Sequence, residues 1–311
     1  MSVKQILVLP RLDVKNANAW SSPYTAGFPA VSAFGGAVHL LQRRLNEKGW
    51  PDLELDEFGL ISHKFVLRTY RERNNGDFYI VAGANPLKKN GERPRFVPEI
   101  KCHMNISLVC VCKFKGNAGR ENEDLISAVK TILDNGFRIA GGDVLPLRET
   151  PMLTQVGTDS QDKDFRRYIV RKLMPSYVLI ERRDLMIKGM EQGQDAMDTL
   201  LDHLTVTVSK TKETGETARK RKKRGWIVPI STGYAAVSEI GHATNQRDPD
   251  TPHRFAEAVV TLGEFKMLHR MENINSMLWK RCYDKECGLY CYQQNSCEEN
   301  ERDNDFDIYQ I

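Results

Sequence analysis

Two stretches of this chain repeat apolar residues at helical spacing, and each is set between strand-like runs; that order narrows the fold more than any other feature. From Ala33 to Glu47 the stripe is Phe34, Ala37, Val38, Leu41 and Leu45, with Gln42, Arg43 and Arg44 off it. Lys48-Gly49-Trp50-Pro51 then stops the helix. From Asn122 to Gly136 the stripe is Leu125, Ile126, Val129, Ile132 and Leu133, with Asn122 as candidate cap and Gly136 as the residue past the end. Strand-like runs cover Gln5 to Leu9, Gly59 to Leu67, Met104 to Phe114, Phe137 to Ile139, Ser176 to Ile180 and Gly225 to Ile230. Strand, long helix, strand, insertion, long strand, helix, strand predicts an α+β fold, with helices on one face of a mostly antiparallel sheet.

RRM-like, or ferredoxin-like, domains share this order. The insertion between Leu67 and Met104 turns polar and carries Asn74-Asn75-Gly76-Asp77, Asn85-Pro86 and Lys88-Lys89-Asn90-Gly91 as turn signals. The runs Phe78 to Val81 and Arg95 to Val97 suggest a projecting β-hairpin, rich in Arg71, Arg73, Lys88, Lys89, Arg93 and Arg95. Asp162 to Leu173 reads as a short basic helix and Glu181 to Leu204 as a longer one. Thr205 to Lys223 loses its apolar content and reads as a solvated, mobile loop ending in the basic run Arg219-Lys220-Arg221-Lys222-Lys223-Arg224.

Lys plus Arg is 45 and Asp plus Glu 41, but the charge is uneven. Acids gather at Glu298, Glu299, Glu301, Asp303, Asp305 and Asp307, which leaves a basic body. Such a body favours a polyanionic partner, because bases gain affinity by releasing counterions from phosphates. No apolar run approaches the ~18 residues that cross a bilayer, and Ile6 to Leu9 is too short for a signal sequence. A cytoplasmic protein without membrane contact is expected. Of seven cysteines, Cys110 and Cys112 share one strand face and read as core. Cys282, Cys287, Cys291 and Cys297 lack the close-spaced pairs typical of zinc sites; reduced thiols, no metal and no cofactor are expected.

No phosphate loop, dinucleotide fingerprint, zinc-protease helix or serine elbow is present. His39, His63 and His103 are compatible with structural roles, although a metal-free ribonuclease needs only one well-placed His pair. Arg11 to Ala19 carries bases and the amides of Asn16 and Asn18, which can read base edges or cap turns. Arg138 precedes the pair Gly141-Gly142, which allows a backbone to pass close to a sugar-phosphate chain.

The run Leu7-Val8-Leu9-Pro10-Arg11-Leu12, Asn16-Ala17-Asn18-Ala19, Ser21-Ser22-Pro23, Gly27-Phe28-Pro29, Ala33-Phe34 and His39 to Arg44 resembles the family of second Csy subunits of type I-F CRISPR surveillance complexes, Cas-five-type members of the RAMP superfamily. The likeness continues at Arg138 to Gly142, Gly225 to Ile230 with Gly233-Tyr234, Thr251 to Phe255, Leu262-Gly263-Glu264 and Gly288-Leu289-Tyr290. It implies an RRM-like core formed by 1–67 and 101–180, with a thumb hairpin inserted at 68–100. Beside this, periodicity and charge alone give a helical insert with a basic loop at 181–224, a C-terminal part packing on the core at 225–294 and an acidic, disordered tail at 295–311. The likeness also implies a non-catalytic subunit that grips the 5′ handle of the CRISPR RNA and pairs with the large first subunit. Backbone subunits, target double-stranded DNA near the protospacer-adjacent motif and anti-CRISPR proteins are further implied partners. The expected RNA contacts are Arg11, Asn16, Asn18, Ser21, Ser22, Arg43, Arg138, Gly141, Gly142, Arg247, His253 and Arg254, with Phe34 and Tyr234 as stacking or packing groups. Charge alone nominates the thumb bases for RNA and Arg219 to Arg224 for DNA. The competing readings are a ribonuclease of the same fold that processes repeat RNA, and an adaptor whose main partner is protein.

Overall fold

The computed structural model describes residues 4–71, 78–81, 87–93, 99–114, 122–156, 159–210, 217–221, 223–246 and 248–294. β1 (Lys4–Asn18) is far longer than its apolar run, because two bulges, between Leu9 and Leu12 and between Val14 and Ala17, let it bend and keep pairing. A small hairpin of β2 (Trp20–Ser22) and β3 (Thr25–Ala26) leads into α1 (Val31–Glu47). Phe34, Val38, Leu41 and Leu45 of the predicted stripe are all buried, contributing about 1.5–3 kcal/mol per side chain. Next come β4 (Leu53–Leu67), the hairpin β5 (Thr69–Arg71) with β6 (Phe78–Ile80), the long β7 (Lys101–Phe114) and α2 (Asn122–Asp134). After these follow β8 (Arg138–Ile139), β9 (Gly142–Val144), β10 (Met152–Val156), α3 (Asp159–Leu173) and β11 (Tyr177–Glu181). The remainder is α4 (Arg183–Glu191), α5 (Ala196–Leu204), β12 (Val206–Lys210), β13 (Thr217–Arg221), β14 (Ile227–Ala236), β15 (Ala256–Met267), β16 (Leu278–Asp284) and β17 (Leu289–Gln294).

One large sheet, antiparallel at every pairing, organises the chain, with β4, β7, β1 and β9 side by side at its centre. Strand alternation splits its residues between two cores. Leu7, Leu9, Leu108, Cys110 and Cys112 pack under α1 and α2, whereas Ile6, Val8, Val109 and Val111 pack under Ile169 and Leu173 of α3 and the segment around Leu268 to Met277. The second cover is shorter than the strands. In β7 every residue from Ile106 to Cys112 is buried, but from Lys101 to Asn105 burial alternates, leaving His103 and Asn105 half-exposed while Cys102 and Met104 stay buried.

Beyond β4 the pairings close on themselves. The edge of β4 away from β7 is shared, with Glu57 to Gly59 pairing β16 and Ile61 and Ser62 pairing β11. From β16 the ladder runs through β17, β14 and β15 back to β11. At the fork Gln294 donates from Nε2 to the carbonyls of Leu179 (3.2 Å) and Met277 (2.9 Å) and accepts the Glu181 N–H at Oε1 (2.7 Å). Trp279, fully buried, also donates to Leu179 O, at 3.3 Å. Backbone groups that no strand can reach there are thus satisfied by side chains.

Several expectations need correction. Glu181 to Leu204 is a strand end and two helices; Gly193 (φ 86°) breaks the run, and the Asp195 carboxylate caps α5 through the Asp198 N–H at 2.7 Å. Thr205 to Lys223 is not a loop throughout, since β12 and β13 form a hairpin from Val206↔Arg221 to Lys210↔Thr217. Its base is pinned by Arg221 on Ile227 O (2.8 Å) and Lys223 on Asp202 (3.3 Å). In the 68–100 segment Phe78–Ile80 pairs with Thr69–Arg71; the predicted partner run, Arg95 to Val97, lies outside the described residues, as does the expected tail at 295–311.

Candidate nucleic-acid interface

The uncovered half of the second sheet face is where Asn16, Asn18, Arg138 and the Gly141-Gly142 pair meet. The β-bulge at Asn16 puts that residue at φ 57°, a left-handed conformation that Asn tolerates well. The Asn16 N–H donates to His103 Nδ1 at 3.1 Å, and its side-chain oxygen accepts from Arg68 at 3.0 Å. Asn18 donates its N–H to Ala140 O at 2.8 Å, which lays the β8–β9 turn against the end of β1. Ala140 (φ 51°) and Gly141 (φ 73°) are the two central residues of that turn, joining the paired Ile139 and Gly142. Gly142 answers a different need: a Cβ there would lie 2.6 Å from Ala17 N and Lys15 O. Its closeness is spent on β1, so the expected approach of a sugar-phosphate chain to Gly142 is replaced by strand pairing.

Around this junction lie Lys15, Arg68, His103 and Arg138. Arg138 pairs with Asp143 at 2.9 Å, and Asp143 stands opposite Lys15 in the ladder. Lys101 holds Glu99 at 2.9 Å. Lys15 and Lys64 are exposed and have no ion-pair partner among the described residues. Burial, then the charges of Lys15 and Arg68, hold the His103 pKa below its ordinary value. With its Nδ1 accepting a backbone N–H, His103 is neutral at pH 7, and the cationic surface is lysine and arginine. Lys15, Lys64 and Arg68 were not nominated from the sequence. Only the pairing of β4 with β7, together with that of β1 with β7 and β9, brings them beside Asn16 and Asn18.

The other nominated residues are elsewhere or already engaged. Arg11, at the first bulge with φ 45°, donates its N–H to Ser107 Oγ (2.8 Å) and its guanidinium to Met174 O (3.2 Å), and pairs with Glu149 at 3.3 Å. Ser107 Oγ, accepting from Arg11, is left to donate to His63 Nε2 at 2.7 Å, while His63 Nδ1 lies 3.3 Å from Pro175 O. That chain defines a neutral imidazole with its proton on Nδ1, in line with a pKa lowered to about 4, first by burial and then by Arg11. Ser21 and Ser22 both bond Thr25 Oγ1, at 2.8 and 2.7 Å, and hold the β2–β3 turn. Phe34, nominated as a stacking or packing group, is fully buried and stacks on Phe28 at 5.6 Å, so of the two it is a packing ring of the core. Arg43 is exposed on α1.

Tyr234, 47% exposed on β14, belongs to a second locale. There the Arg254 guanidinium is bound to Ser238 O (3.1 and 2.9 Å), and His253 bridges Gly241 and stands edge-on to Phe255. Of the thumb bases, Arg71 lies over the Phe78 ring at 5.6 Å, and Lys88, Lys89 and Arg93 are exposed. Arg219, Lys220 and Arg221 lie in β13 and Arg224 is exposed beyond it. Arg73, Arg95, Lys222 and Arg247 lie outside the described residues.

A family model described as CRISPR-associated protein (Cas_Csy2) matches residues 7–292. The chain belongs to the Csy2 family. It is 31% identical over 309 residues to the CRISPR-associated protein Csy2 of Pseudomonas aeruginosa (strain UCBPP-PA14), covering 92% of this chain and 94% of the relative. The motif resemblance to the second Csy subunit of type I-F systems therefore holds, and the Csy2 match spans β1 through β17 but not the acidic residues beyond Gln294. The Csy2-family chain shows six free thiols and no metal-holding cluster among the described residues, and none of its described helices is long and apolar enough to cross a membrane.

Proposed function

We propose that this chain is the non-catalytic subunit of a type I-F CRISPR surveillance complex that holds the 5′ handle of the CRISPR RNA. In this reading it pairs with the large first subunit, caps the end of the RNA filament beside the backbone subunits, and works in the cytoplasm. The observation that carries it is the uncovered sheet half-face, where Lys15, Lys64, Arg68 and Arg138 surround the amides of Asn16 and Asn18. Lys15 and Lys64, which have no acid partner among the described residues, suit phosphates, and the Asn16 amide keeps its NH2 for a base edge, whereas Arg138 is held by Asp143 and the Asn18 amide closes on the N–H and carbonyl of Trp20 at 3.0 and 3.1 Å. Helices of β1–α1–β4–β7–α2–β9 leave that face open, and their order supports an RRM-like RAMP core. The hairpin β5–β6 fits the thumb and β12–β13 a contact to target double-stranded DNA near the protospacer-adjacent motif. The ribonuclease reading is less favoured because His63 is locked to Ser107, a fully buried hydroxyl, and to Pro175.

The test incubates the protein, alone and with its large partner subunit, with labelled CRISPR RNA bearing a native or scrambled 5′ handle. Native and denaturing gels should show intact RNA retained only with the native handle. A shortened product would make the chain a nuclease, and binding indifferent to the handle would reduce it to a nonspecific basic surface.

A further inference from the structure

The hairpin β16–β17 carries a feature that RNA binding does not use. Cys282 and Cys291 stand directly opposite one another in its ladder. Opposed residues of antiparallel strands project on one face with Cβ atoms about 4.5–5.5 Å apart, and their Cα separation of about 4.5–5.5 Å falls inside the range a disulfide spans. Closing the bond asks the two Cβ atoms to approach by about 1–2 Å, to about 3.8 Å. Burial holds the Cys291 pKa above its ordinary value; the Gln293 amide and the Arg183 guanidinium oppose this, while the neighbouring Cys282 and Glu181 add to it. Cys282 is half-buried and reachable, whereas Cys291 is 2% exposed and receives the Gln293 amide at 3.2 Å.

The remaining described thiols are differently placed. Cys110 and Cys112 lie two apart on one strand, about 7 Å between Cα atoms by strand rise, and are buried; burial pushes the Cys112 and Cys102 thiols up to about 12. Cys287 sits in the hairpin turn with its N–H on Asp284 at 3.1 Å.

We propose that Cys282 and Cys291 form a redox-modifiable pair, oxidised by a peroxide to a disulfide that staples β16 to β17. The sulfur of Cys282, as thiolate, attacks one peroxide oxygen; the O–O bond breaks, the leaving hydroxide takes up the proton that Cys282 shed on ionising and departs as water, and Cys282 becomes a sulfenic acid. The Cys291 sulfur then attacks that sulfur, the S–O bond breaks, and a second water departs with the Cys291 proton. The two cysteines together lose two electrons, and the peroxide is reduced to two waters. The staple would fix the strand that joins β14 to β16, and with it Tyr290, which pairs with Tyr234.

The test treats the folded chain with dilute hydrogen peroxide, quenches, denatures, alkylates and counts labels by mass. Alkylatable thiols should fall by two from seven and return on dithiothreitol treatment. Trypsin cuts after Arg281 and Lys285, so the oxidised protein should yield the Cys282 peptide disulfide-linked to the peptide that begins at Glu286. The link should survive Cys287→Ser and disappear in Cys291→Ser. Seven thiols remaining, a link that persists in Cys291→Ser, or Cys282 ending as sulfinic acid without a link would each overturn the proposal. Because the thiol count is read on the unmodified sequence, a variant that fails to fold does not rescue it.

Discussion

Removing the two unpaired lysines of the open sheet face should change the salt dependence of RNA binding by a calculable amount. Lys15 and Lys64 are exposed and without ion-pair partners among the described residues, so truncating them costs the fold little. Each phosphate neutralised on a single strand contributes a slope of about 0.7 in log affinity against log salt. Lys15→Ala with Lys64→Ala should therefore flatten the slope by about 1.4. Between about 50 and 200 mM salt, the original protein should lose roughly sevenfold more affinity than the double variant. The paired bases supply the internal comparison. Arg138 is held by Asp143 at 2.9 Å, so Asp143→Asn should free that guanidinium and steepen the slope, a change of opposite sign at the same junction. Fluorescence anisotropy titrations of handle RNA at four salt concentrations, with the large subunit present throughout, measure all three slopes. A double variant whose slope equals the original would show that RNA lies elsewhere, and a flattening on Asp143→Asn would refute the charge bookkeeping.

Two further outcomes concern the fold. His63 titrates near 4 when folded against its ordinary 6.5, so between those values the unfolded chain holds a proton that the folded chain does not. Stability should be level above about pH 6.5 and fall as pH drops toward 4, by ~1–2 kcal/mol once partial exposure is allowed for; urea melts of the parent and His63→Gln should converge at low pH, and parallel profiles would refute the assignment. Gln294→Leu strips the Met277 carbonyl and the Glu181 N–H of their side-chain partners, while Leu179 O keeps Trp279. At about 1–3 kcal/mol per orphaned buried group, a loss of ~2–5 kcal/mol in chemical denaturation is expected, and a loss under about 1 kcal/mol would mean the fork opens to water.

What could be read from the chain tracked how local its cause was. The stripes of α1 and α2 and the apolar cores of β1, β4 and β7 followed from period alone, and Phe34 was legible as a core ring from its place on the stripe, even though its chemistry also suggested stacking. β12 and β13 were missed because their pairing rests on the backbone ladder and on two pins at the base, Arg221 on Ile227 O and Lys223 on Asp202, with no apolar pattern to announce it. β15, β16 and β17 were missed as well; they matter through partners far away in sequence. At the candidate site, Asn16, Asn18 and Arg138 were nominated through residue types, but Lys15, Lys64 and Arg68 acquire significance only when β4, β7, β1 and β9 align. Gly142 shows the converse, a residue singled out for close approach to a sugar-phosphate chain whose closeness serves its neighbouring strand.

The shared edge of β4 has a consequence for how the chain is made. A ribosome delivers β4 early and exposes its outer edge, a template for stray pairing. Half of that edge waits for β11, and the other half for β16, more than two hundred residues downstream of Leu53. The fork is complete only when Gln294 arrives to satisfy Met277 and Glu181. Closure thus waits until the chain through β17 has been made and depends on contacts of long sequence separation, which form slowly. Until then the nascent chain is a half-finished sheet in need of shielding, and any truncation before β17 should leave an aggregation-prone product rather than a smaller working protein.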